Sequence, residues 1–100
     1  MLVSKLDQDH PVQKVGAEAR RLLDVIAIQH SQNDPLTVTA GMQMTDIASP
    51  ATIHRKIDDL KMYDLVTLEH KGDNRRTKYL VPTDLALKRY ESLSRALMKL

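Results

Sequence analysis

The chain has 100 residues, 42% hydrophobic, 28% charged and only 3% aromatic, with a formal net charge of +2. This length supports one domain with one modest core, and without Phe or Trp that core must be aliphatic. Without cysteine there are no disulfides or thiolate metal sites, no apolar run approaches the ~20 residues that span a membrane, and residues 1 to 8 lack a signal-peptide core.

Residues 1 to 14 mix polar and apolar types around Pro11 without a period. They read as an N-terminal arm, mobile or docked on a partner chain, ahead of a single domain over residues 15 to 100. From Val15 the pattern is helical, with Val15, Ala19, Leu22, Leu23, Ile26 and Ala27 on one side. This helix should stop near Asn33-Asp34-Pro35, because proline disfavours the α conformation in the residue before it. Leu36-Thr37-Val38 suits a small edge strand. Thr37 or Thr39 can then cap a short helix through Ala40 to Met44, which Gly41 weakens by roughly 1 kcal/mol relative to alanine.

The next helix has a sharper start. Ser49 can accept a bond from a free first-turn amide, and Pro50 sits where its missing N–H costs nothing. Ile53, Ile57 and Leu60 form its buried stripe; Ala51, Thr52, Arg55 and Asp59 point away from it, with His54 and Lys56 on the flanks. Two strands follow, Leu65 to Lys71 and Arg75 to Val81. Setting Gly72 opposite Arg75 leaves Asp73-Asn74 as a two-residue turn and pairs Glu69 with Lys78, Leu68 with Tyr79 and Val66 with Val81. After Pro82, Thr83 can cap a last helix over residues 83 to 100. Its Ala86, Tyr90, Leu93, Leu97 and Leu100 recur at the spacing of a two-helix seam. That stripe can pack on the Val15 to His30 helix of the same chain, but a seam apolar to Leu100 makes this helix the expected homodimerisation element.

The fold class is therefore mainly α with a small β-hairpin (α+β), in the order α-β-α-α-β-β-α of a winged helix-turn-helix. Charge is distributed unevenly along it. Residues 1 to 34 carry four basic and five acidic side chains, whereas Lys71, Arg75, Arg76 and Lys78 stand against Asp73 alone over residues 71 to 78. A local excess of this kind attracts phosphates, since neutralising them releases counterions. Either the polar helix face or the basic hairpin alone is compatible with a solvated surface; a capped helix followed directly by a basic hairpin points to duplex DNA. Ser49, Pro50, Ala51, Thr52, His54 and Arg55 are the candidates for the major groove, Arg55 being suited to a guanine edge. Lys71, Asn74, Arg75, Arg76 and Lys78 are the candidates for phosphates or the minor groove.

These residues resemble a known family. Residues 36 to about 90 look like the winged helix-turn-helix of the multiple antibiotic resistance regulators, the MarR-like group. The likeness is carried by Leu36-Thr37-Val38, by Ser49-Pro50-Ala51-Thr52-Ile53-His54-Arg55, by Leu60 with Leu65-Val66, and by the Asp/Arg-rich tip leading to Thr83. It implies a dimeric bacterial or phage-type transcription factor reading a palindromic site, with Arg75 or Arg76 as the tip arginine. A cytoplasmic location follows, and no cofactor is expected.

Two other classes compete. A winged helix can instead be a protein-interaction module in a replication or mobile-element complex, and Asp58, Asp59 and Asp64 beside the proposed reading surface would suit that. An enzyme is not expected. No Gly-rich phosphate loop follows a strand, and Ser49 and His54 are five positions apart and share no helix face. The four histidines, His10, His30, His54 and His70, lack short spacing, so no metal site is expected.

Overall fold

Helix α1 (Ala17–Ser31) buries Ala19, Leu22, Leu23, Ile26 and Ala27, the periodic stripe that the sequence predicts. The computed structural model describes residues 11 to 98, without the side chains of Asn74, Arg75 and residues 93 to 98. Most of the predicted arm and the seam position Leu100 lie outside the described residues, as do the side chains of the seam positions Leu93 and Leu97. Within them, Val12 sits in a 3-10 turn (Pro11–Lys14) and is 1% exposed, so this end of the arm packs on the chain's own core.

Both long internal helices end on the same device. After α1, the Asp34 amide bonds Gln29 O and the Asn33 amide bonds His30 O, with Asn33 at φ +58. After α3 (Pro50–Met62), the Leu65 amide bonds Leu60 O and the Asp64 amide bonds Lys61 O, with Asp64 at φ +58. This is the Schellman pattern, in which Asn or Asp can stand in for glycine because a short polar side chain tolerates the left-handed region.

Between them lie β1 (Leu36–Thr37) and the short helix α2 (Val38–Met42). Of the two candidate caps Thr37 is the one used, its Oγ1 accepting from the Ala40 amide at 3.0 Å. Gly41 is buried, and a Cβ there would stand 3.2 Å from Leu80 Cδ1, so it lets α2 approach the sheet closely. At the head of α3, Ser49 Oγ accepts from the Thr52 amide at 3.3 Å with Pro50 in the first turn. Ser49→Ala is expected to lower stability by about 1 kcal/mol, read by urea unfolding. Ile53, Ile57 and Leu60 are each at most 4% exposed.

Strands β2 (Val66–Lys71) and β3 (Asn74–Pro82) join β1 in an antiparallel sheet of order β1-β3-β2. Here the register differs from the predicted one. Val66 pairs with Pro82 rather than Val81, Leu68 with Leu80 rather than Tyr79, and Glu69 with Tyr79 rather than Lys78. The reason is burial. With period-two alternation, this register puts Val66, Leu68, Leu80, Pro82 and, through its pairing with Leu80, Leu36 on the core face together. The turn is also Gly72-Asp73, closed by the Lys71↔Asn74 pair, and not Asp73-Asn74. Gly72 takes φ +61, which a glycine adopts at less cost than an aspartate.

The last helix, α4 (Asp84–Met98), is capped as predicted, Thr83 Oγ1 accepting from the Ala86 amide at 3.2 Å. The same hydroxyl donates to Asp64 O at 2.7 Å, tying α4 to the turn after α3. Ala86 is fully buried in the core, and Tyr90 OH donates to Asp24 Oδ1 of α1. These two positions of the predicted dimer seam are thus used inside the chain, the alternative that their spacing also allows, because the first half of α4 covers its own domain. No helix among the described residues is long and apolar enough to cross a membrane.

Burial, then the hydrogen bond to Asp24 and that carboxylate's charge, push the Tyr90 phenol above its ordinary value. A raised value means that the fold favours neutral tyrosine. The stabilisation is complete below the unfolded value of about 10 and is lost as pH rises through the folded one. Tyr90→Phe is expected to cost about 1 kcal/mol at neutral pH and to make the alkaline fall in stability shallower, measured by urea unfolding at a series of pH values.

Candidate nucleic-acid interface

Helix α3 buries one stripe and leaves Ser49, Pro50, Ala51, His54 and Arg55 exposed, with Thr52 half-buried. Its first turn is internally organised. The Ser49 hydroxyl donates to Thr52 Oγ1 at 3.0 Å while accepting from the Thr52 amide, which leaves the Thr52 hydroxyl its own proton to donate outward. One turn on, His54 Nδ1 lies 3.5 Å from Asp58 Oδ2, with both side chains about 60% exposed (61% and 59%). Thr52, Arg55, Lys56, Asp58 and Asp59 line an open depression of about 390 Å³. The exposed face is therefore small and basic toward its N-terminal half and of mixed charge beyond Arg55.

The hairpin carries the other set. Lys71, Arg76 and Lys78 are exposed, and Asn74 pairs with Lys71 next to the turn. The side chains of Asn74 and Arg75 lie outside the described residues. On the tip side of Tyr79, Arg76, Thr77 and Lys78 line a depression of about 450 Å³ together with Thr37, Val38 and Thr39. The start of α2 is thus a third part of this surface, which the sequence analysis did not single out. The signal that would have found it is the β1–β3 pairing, which sets Thr37 opposite Tyr79. Nothing local to either segment announces that partnership.

The α3 set and the hairpin set share no lining residue. They are connected through α2, which packs on both α3 and β3. Among the described residues no cluster of three or more His, Asp or Glu side chains could hold a metal ion.

No protein-family model matches the chain, and no curated protein matches it in sequence. Solved structures do match it. A MarR protein from Peptoclostridium difficile DA00132 superposes with a TM-score of 0.62 at 20% identity, over 98% of this chain and 61% of that one. RV1404 from Mycobacterium tuberculosis superposes with a TM-score of 0.55 at 15% identity, over 98% of this chain and 65% of that one. The fold is a MarR-like winged helix, as the motifs of residues 36 to 90 imply. The chain spans less than two-thirds of the length of either structure.

Proposed function

We propose that this chain is a non-enzymatic, sequence-specific regulator of transcription that binds duplex DNA as a homodimer in the cytoplasm. The observation that carries this reading is the exposed, small and basic first half of α3, capped by Ser49, on a MarR-like winged-helix backbone. Ala51 lets the helix approach base edges, Ser49, Thr52 and His54 offer hydrogen bonds, and Arg55 reaches a guanine O6 and N7. Lys71, Asn74, Arg75, Arg76 and Lys78 meet phosphates or the minor groove, supplying affinity that is independent of sequence. Dimerisation runs through Leu93 and Leu97 of the last helix and through Leu100, aided by the N-terminal arm.

Selection of bound duplexes from a random pool, with the mass of the complex measured alongside, tests the reading. The expected result is an inverted repeat with half-sites about one helical turn apart, bound by two chains. Failure to enrich any sequence, with binding that is indifferent to salt, would reject it. A second reading draws on Asp58 and Asp59, which stand on the same depression as Arg55. Carboxylates there repel phosphates and suit a basic protein surface, so capture of a basic protein partner by a chain that binds no duplex would favour an interaction module.

A further inference from the structure

The β2–β3 ladder changes register between Glu69 and Lys71. Continuing the Glu69↔Tyr79 pairing would set Lys71 opposite Thr77, yet Lys71 pairs with Asn74, so β3 carries three extra residues near the tip. Across such an offset the regular exchange of main-chain bonds is interrupted. Among the described residues, the His70 side chain reaches across it. His70 Nδ1 lies 3.1 Å from Thr77 O, and His70 is itself exposed, so the core does not require its ring.

We propose that His70 is a positioning residue for the wing, its ring holding β3 at Thr77 so that the flanking Arg76 and Lys78 are presented on a fixed strand. A carbonyl oxygen only accepts, so Nδ1 carries the proton and donates. A threonine at this exposed strand position would serve solubility equally well, but its hydroxyl is one bond nearer the backbone than Nδ1. The effect on DNA affinity rests on the DNA-binding reading above; the effect on the wing does not.

The test uses the full chain with His70→Ala and His70→Asn. Asparagine carries its amide nitrogen the same number of bonds from the backbone as Nδ1, so it can replace the donor. In His70→Ala, amide exchange at Thr77, Lys78 and Tyr79 is expected to rise about fivefold, the size expected from one lost hydrogen bond, with Ile53 and Leu60 unchanged. His70→Asn should restore the wild-type exchange, and the nitrogen spectrum of the His70 ring should show a protonated Nδ1. Affinity for a selected duplex should fall with alanine and return with asparagine. Wild-type exchange in both variants, an unprotonated Nδ1, or equal loosening by alanine and asparagine would overturn the proposal. If the exchange pattern appears and no duplex is bound by any variant, the positioning role stands and the DNA reading fails.

Discussion

Ile53→Ala is expected to remove about 2–5 kcal/mol of unfolding free energy, the range for truncating a large aliphatic side chain in a closed core. Ile53 is fully buried in the core cluster of a helix that packs on α1, and the fully buried side chains of that cluster are all aliphatic. A domain of this size has about 5–15 kcal/mol to lose, so the variant sits near the edge of folding. Urea unfolding should show a lowered midpoint with an unchanged slope. Ile28, on the outer side of α1 and 54% exposed, is the control: Ile28→Ala should stay within about 0.5 kcal/mol of wild type. Equal losses at the two positions would mean that α3 does not pack as described.

The second large effect concerns Arg55. On the DNA-binding reading, Arg55→Ala should cost about 1–3 kcal/mol at a selected site and relax the preference at one base pair in each half-site. Arg76→Ala should act differently, weakening all sequences alike and lowering the salt slope by about one. Fluorescence anisotropy titrations across a salt series separate the two behaviours. Arg55 shares its depression with Asp58 and Asp59, so on the protein-interaction reading its loss would leave duplex affinity untouched. Unchanged affinity in both variants would end the DNA-binding proposal.

How much of this was legible beforehand varies by element. The stripe of α1, the Ser49 cap, the Ile53, Ile57 and Leu60 face and the Thr83 cap are all recoverable from spacing, because each depends on residues within about a turn of one another. The candidate site was legible to the same depth. Ala51, His54 and Arg55 fall on the exposed side of α3 because Ile53 and Ile57 fall on the other. The placement of Thr37, Val38 and Thr39 beside Arg76, Thr77 and Lys78 was not, since it depends on β1 finding β3 some forty positions later.

Ala86 and Tyr90 show the same limit from the other side. Their heptad-like spacing identifies an apolar stripe correctly but says nothing about which surface covers it. In the fold that surface is the chain's own core for Ala86 and Asp24 for Tyr90. The hairpin register is subtler, because pairing Glu69 with Lys78 gave a locally attractive charge pair. A one-residue slip costs little between neighbours, yet it would turn Leu80 away from the face that Leu36 and Leu68 share with it.

By itself the sequence determined the order of elements, the caps that open α3 and α4 and the polarity of the faces of α1 and α3, since caps and periodicity act over a few residues. Tertiary structure alone decided the strand register, the close approach of α2 to the sheet through Gly41 and the use of Ala86 and Tyr90 within the chain. Those outcomes depend on burying surfaces that are distant in sequence, and competing arrangements of them look alike until the core closes.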